Sequence, residues 1–303
     1  METKPTLSYL VATKNKLPYL KKTLDKLTER RTSDEEILVA DGVSKDGTAD
    51  FLAELKTAGK IDRFASEADS GVPHALNKLI LASRGQLFMM IADDDAYHYP
   101  SIEACKKFML DNPSIDAIAS NGGVLYPAGS LTEKDPGYTI RALDYVPQYL
   151  RWQESRKPFS FAELGLILRR SSLPIVGLRD PSVVHADAEF SFRLTAGRAN
   201  LAWYSGYSFV NILNKQSVSR TRAAEISADT ARLKKFYLNE NPDSFAVRKL
   251  KALRNRIRAG LASEKERVLV GDDQSWPNLV AFSEKWLESK NSERQPRFIH
   301  NRQ

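Results

Sequence analysis

Through the first 120 residues, short apolar runs alternate with stretches of helical period, and that alternation leaves few folds open to the chain. LSYLVA, from Leu7 to Ala12, is predicted as a buried strand. After a polar turn, LPYLKKTLDKL places Leu17, Leu20, Leu24 and Leu27 on one helical face. EILVAD forms a second predicted strand with Asp41 at its end. GVSKDGT supplies turn residues, with Thr48 as the expected N-cap of a helix carrying Phe51, Leu52 and Leu55. A short strand near Arg63 to Ala65, a helix around Val72 to Ala82 and the strand LFMMIA follow. This order predicts an α/β fold, a parallel doubly wound sheet with right-handed crossovers and helices on both faces. Ligands of such sheets sit beyond the carboxyl ends of the strands. Three polar loops lie there: Thr13-Lys14-Asn15, the turn opening with Asp41, and Asp93-Asp94-Asp95.

After Asn121 the pattern loosens into Gly, Pro and Tyr, with a long polar excursion to Pro158. FAELGLILRRSSLPIVG reads as a strand followed by a short helix, HADAEFSFRLTAGR as another helix, and LAWYSGYSFVNIL as one or two strands. From about Asp229 the chain reads as helical and basic, ending in the polar tail ESKNSERQPRFIHNRQ, expected to be mobile. The net charge of +7 is concentrated there, between Ala231 and Leu261. Such a run is either a solvated helical face or a surface for an anionic partner.

Hydrophobic residues make up 42% of the chain and charged ones 27%, as in soluble globular proteins, and no apolar run is long enough to cross a bilayer. The first residues, METKPTLSYLVATKN, lack the apolar core of a secretory signal, and a single cysteine, Cys105, makes no internal disulfide. The expected compartment is the cytoplasm.

The triplet Asp93-Asp94-Asp95 breaks local rules, because three adjacent carboxylates repel one another at the end of an apolar strand. A hard divalent cation would resolve the conflict; the other reading is an exposed acidic turn. Mg²⁺ and Mn²⁺ take oxygen ligands, and Mg²⁺ uses only one or two carboxylates, completing its shell with water and phosphate oxygens.

Four blocks in order resemble the family-two glycosyltransferases, an inverting group with the GT-A fold. They are SYLVATKN, ILVADGVSKDGT, EADSGVPHALNKLILASRGQLFMMIADDDAY and HADAEFSFRLTAG, spanning about residues 6 to 220. The resemblance implies that Asp41 accepts a hydrogen bond from the nucleotide base, and that Thr13 and Asn15 lie in a loop lining base and ribose. Asp69 falls near nucleotide and donor sugar, or caps the helix from Val72. Asp95 is the implied metal ligand under either of two alignments of the triplet; Asp93 and Asp94 share metal and ribose contacts in an order left open. Asp187, found by counting back from Arg193, is the implied catalytic base, although Ala186 stands where an acidic residue often precedes it. Glu189 is the substitute, and the other role open to Asp187 is capping its helix. Arg220 and Arg222, in NKQSVSRTRAAE, are placed to bond the diphosphate.

The implied function is metal-assisted transfer, with Mn²⁺ or Mg²⁺, of a sugar from a UDP- or GDP-sugar to a hydroxyl of a glycan or lipid-linked acceptor. Residues 1–225 form the expected catalytic domain, with a nucleotide-sugar half to about 125 and an acceptor half beyond it; 226–303 form the basic helical extension. A nucleotidyltransferase is the second enzyme reading, but no Gly-rich, Arg- and Lys-bearing loop follows the first strand. The third is a noncatalytic scaffold with a basic anchor. Nothing resembles a nucleic-acid motif, and Lys249 to Arg258 suits a membrane surface better.

Overall fold

The computed structural model describes residues 4–127, 138–214, 217–240 and 276–300. The parallel heart of the sheet is built from β1 (Leu7–Thr13), β2 (Glu35–Asp41), β3 (Arg63–Ser66) and β4 (Leu87–Ala92). Neighbouring strands run in the order β3, β2, β1, β4, all parallel. Beyond β4 the sheet becomes mixed. Strand β8 (Ile167–Arg169) is antiparallel to both β4 and β6 (Ala117–Pro127), and β9 (Leu201–Ile212) runs parallel to β6. A two-residue strand β5 (Ala96–Tyr97) returns the chain antiparallel to β9, and β7 (Tyr138–Leu143) forms a hairpin with β6.

Alternation along the strands feeds two cores. Leu7, Tyr9 and Val11 of β1, with Ile37 and Val39 of β2, pack on α1 (Leu17–Arg30), α2 (Thr48–Thr57) and α4 (Tyr99–Asp111). Leu10, Leu38 and Ala40 point the other way, toward α3 (Val72–Ala82), α5 (Val146–Ser155) and α7 (Ala186–Ala196). Leu20, Leu24 and Leu27 are fully buried on one face of α1, each worth about 1.5–3 kcal/mol by transfer. Leu17, at the start of that helix, stays partly exposed.

Three expectations need correction. Thr48 does not cap α2: it is the first helical residue, behind Gly47 in the left-handed region, and Asp46 accepts from its amide (3.3 Å) and hydroxyl (2.6 Å). The stretch after Asn121 is not loose but continues β6 to Pro127. Its glycines mark close approach, since a Cβ on Gly122 would lie 2.2 Å from the Phe209 ring and one on Gly123 would lie 2.6 Å from Ile140. The C-terminal tail carries regular structure as far as Ile299. Helix α10 (Trp276–Glu293) buries Trp276, Leu279 and Leu287 against Tyr19, Tyr207, Val210 and Ile212, and β10 (Phe298–Ile299) pairs with β9. The basic run Lys249 to Arg258 lies outside the described residues.

Candidate active site

The carboxyl ends of β1, β2 and β4 bring their three loops together, and hydrogen bonds lock two of them. Asn15, in the left-handed conformation at φ 53°, donates its amide to Ser44 Oγ at 2.7 Å and accepts from Lys45 N at 2.8 Å. Leu17 N donates to Asp46 at 2.9 Å. Asp41 is buried and fully engaged, accepting from Ser66 Oγ at 2.6 Å and from the amide and hydroxyl of Ser44. Beside it Val43, a β-branched residue at φ 61°, is strained and 48% exposed at the rim. Asp69 meets this loop from the β3 side: a Cβ on Gly42 would stand 2.7 Å from its Oδ2. Its other oxygen accepts from Gly71 N at 2.8 Å; Gly71, not Asp69, occupies the N-cap position of α3.

All three aspartates of the triplet are buried, and they face different ways. Asp93 accepts from Thr13 Oγ1 at 2.7 Å and from Lys16 Nζ at 3.2 Å. Asp94 accepts from the same ammonium at 2.5 Å and from Asn214 Nδ2 at 2.6 Å. Asp95 turns to the end of β9, where Ile212 N (2.8 Å) and Asn211 Nδ2 (3.1 and 3.2 Å) occupy both of its oxygens. These bonds tie Asp95 to the end of β9, whereas Asp93 and Asp94 share the Lys16 ammonium. Burial raises Asp93 to about 6 against the pull of Lys16, and burial with the neighbouring Asp94 raises Asp95 well above the carboxylate range. Burial opposes the charge on Lys16, but Asp93 and Asp94 outweigh it and raise its pKa.

Among the described residues no three Asp, Glu, His or Cys side chains converge on a metal cage. The donor set still fits a hard divalent cation. Two carboxylates converge on one cationic position, marked by the Lys16 ammonium, and Mg²⁺ needs only one or two carboxylates beside water and phosphate oxygens.

A second cluster stands at the same edge of the sheet. Because β8 is antiparallel to β4, the short 3₁₀ turn Glu163–Gly165 that precedes it falls at the carboxyl end of β4. Glu163 N donates to Asp187 Oδ2 at 3.4 Å. Asp187 sits in the first turn of α7 behind the N-cap His185, whose side chain makes no capping bond; burial raises the pKa of Asp187. Glu189 is held by Arg193 through bonds of 2.7 and 3.1 Å. Asp187 is therefore the less encumbered of the two base candidates. Behind it lies the buried pair of Glu163 and Arg179, joined at 2.5 and 2.9 Å, with Arg179 also exchanging backbone bonds with Asn77 of α3. Arg222, in the turn between α8 (Val218–Thr221) and α9 (Ala223–Leu238), pairs with Glu225 on the surface and makes no described bond to the aspartates. The Arg220 side chain is outside the described residues.

Lys16, Asn211, Asn214, Glu163 and Arg179 escaped the sequence reading. Two signals were present: Lys16 adjoins the Thr13 to Asn15 loop, and Asn214 opens the segment assigned to the diphosphate.

The family model described as "Glycosyl transferase family 2" matches residues 8–170. Comparison with curated protein sequences gave no match. Among solved structures, the mannosyltransferase PcManGT of Pyrobaculum calidifontis, in complex with GDP-Man and Mn²⁺, superposes with a TM-score of 0.55 at 15% identity, covering 94% of this chain and 88% of its own. TarS (1-349) of S. aureus with UDP-GlcNAc gives 0.53 at 14% identity, covering 95% and 92%. The same protein with UDP gives 0.51 at 17%, covering 77% and 71%. At these identities the likeness is one of fold.

Proposed function

Because the chain belongs to glycosyl transferase family 2 and is a glycosyltransferase, we propose that it moves a sugar, with inversion, from a UDP- or GDP-sugar to a hydroxyl of a glycan or lipid-linked acceptor. The observation that carries the reading is the shared edge: the Asp93 and Asp94 pair at the end of β4, and Asp187 held by the turn that adjoins that end. The fold neighbours contain UDP, UDP-GlcNAc, or GDP-Man with Mn²⁺.

In this reading the base and ribose lie over the locked loops of Thr13, Asn15 and Asp41, with Asp69 at their side. Asp41, bonded to Ser44 and Ser66, shapes that floor and meets a base N–H on exchange of one of those partners. Asp93 and Asp94 would hold a divalent ion, Mn²⁺ or Mg²⁺, which would supply Lewis-acid stabilisation to the leaving diphosphate. Asp187 takes the proton of the acceptor hydroxyl on the opposite face of the sugar; its raised pKa makes it a stronger base than a solvated carboxylate. Asp95 braces the site through β9. Arg222 joins the diphosphate on exchange of its Glu225 partner.

A helix long and apolar enough to cross a membrane is absent among the described residues. A lipid-linked acceptor would bring the enzyme to the inner face of a membrane, with the basic Lys249 to Arg258 run as the contact. Envelope or exported polysaccharide synthesis is the role we assign.

The test is calorimetric titration with UDP and GDP, each with and without Mn²⁺, on the wild type and Asp94→Ala. The reading expects metal-dependent binding of one nucleotide that disappears in the variant. Absence of binding by either nucleotide would remove it.

A further inference from the structure

Lys16 is a cation that the fold delivers to a fixed point. The backbone on both sides of it is pinned, by Asn15 bonded to Ser44 and Lys45 and by Leu17 N bonded to Asp46. Its own carbonyl starts α1, accepting from Tyr19 N at 3.1 Å and Leu20 N at 2.9 Å. The side chain runs inward, is 15% exposed, and ends 3.2 Å from Asp93 and 2.5 Å from Asp94. Thr13 and Asn214 occupy the flanks of the same two carboxylates. The ammonium thus fills the position on which the pair converges, and a divalent ion at coordination distance needs that space and that charge. A divalent ion held there would stand within contact range of the ammonium, and the repulsion of like charges at that distance in a buried site opposes binding of both together.

We propose that Lys16 is the resident counter-ion of the Asp93 and Asp94 pair, and that a divalent cation enters only as Lys16 leaves. The nucleotide-free protein then holds divalent metal weakly. The diphosphate of the donor supplies the anion to which the displaced ammonium moves, so metal and nucleotide load together. This role for the diphosphate rests on the donor-site reading above, whereas the exclusion of metal by Lys16 does not.

The experiment titrates nucleotide-free protein with Mn²⁺, following free Mn²⁺ by electron paramagnetic resonance, for the wild type, Lys16→Met and Lys16→Arg. Removing a like charge from contact range is expected to tighten Mn²⁺ binding about ten-fold or more in Lys16→Met, while Lys16→Arg stays as weak as the wild type. UDP or GDP should tighten Mn²⁺ binding in the wild type and much less in Lys16→Met. Mn²⁺ affinity in Lys16→Met that is unchanged or lower overturns the proposal. Lys16→Gln answers the same question should the Met variant fail to fold. If none of the proteins binds a nucleotide, the donor-site reading fails, and the nucleotide-free titration still decides the role of Lys16.

Discussion

Asp94 and Asp95 follow one another in the chain, yet their carboxylates bond to different parts of the molecule. Asp94 meets the Lys16 ammonium and the Asn214 amide, and Asp95 meets the backbone of β9. Substitution should separate a binding role from a structural one. Asp95→Asn puts an amide donor where the carboxylate accepts from Ile212 N and Asn211, and is expected to cost about 1–3 kcal/mol in chemical denaturation. Asp94→Asn is expected to abolish metal-dependent nucleotide binding with a smaller loss of stability. Reversed effects would assign the ligand to Asp95 after all. At Asp187 the sign of the pH dependence follows from its raised pKa: a base must be deprotonated, so kcat/KM climbs as pH rises through a value above the ordinary carboxylate range. A profile already flat at the pH where solvated carboxylates ionise would deny Asp187 that role.

The turn Glu163–Gly165, strand β8 and helix α7 act together, because the buried Glu163 and Arg179 pair ties the turn to the loop before α7. Burial lifts Glu163 to about 7 despite Arg179, with Asp187 adding to the lift. A folded pKa above the unfolded value means that this group stabilises the protein fully below the unfolded pKa of about 4.5, and that the contribution is lost as pH rises through about 7. The stability difference between wild type and Glu163→Gln, measured by denaturant unfolding, should therefore shift in favour of the variant between those values. A difference independent of pH would show that Glu163 is ionised throughout. This element also shows why parts of the site were hidden in the sequence. The strands β1, β2 and β4 carry apolar runs that any period count finds, and their terminal Asp41 and Asp93 to Asp95 were legible as strand-end carboxylates. Glu163 and Arg179 find each other only in three dimensions, sixteen residues apart and across a helix and a strand. Gly122 and Gly123 carry the composition of a turn, and only the Phe209 ring and Ile140 opposite them reveal a strand.

At the scale of the whole molecule, the C-terminal segment completes the domain that the first strands begin. Trp276 stacks edge-on against Tyr19 with ring centroids 4.5 Å apart, and Asn291 bonds both the amide (2.9 Å) and the carbonyl (2.9 Å) of Tyr207. Leu287 is fully buried in that contact, so Leu287→Ala is expected to lower the unfolding free energy by about 2–5 kcal/mol. A loss below about 0.5 kcal/mol would mean that α10 contributes little to the fold. The charged, polar composition of 288–297 concealed this docking, because the apolar contacts are few and spaced along a helix whose other faces are wet. The Asp95 bonds and the α10 contacts both fall on β9, and Asn214 just beyond that strand bonds Asp94, which couples the C-terminal segment to the triplet.

Inverting transfer with Asp187 as base is tested by the anomeric configuration of the sugar released in slow donor hydrolysis. Purified protein would be incubated with UDP- and GDP-sugars and Mn²⁺, and the first anomer followed by proton nuclear magnetic resonance. Release from one donor with initial inversion at the anomeric carbon is expected, with a rate reduced about 10²–10⁴-fold in Asp187→Asn and nucleotide affinity unchanged. Retained configuration, or an Asp187→Asn rate equal to that of the wild type, would contradict inverting transfer with Asp187 as base.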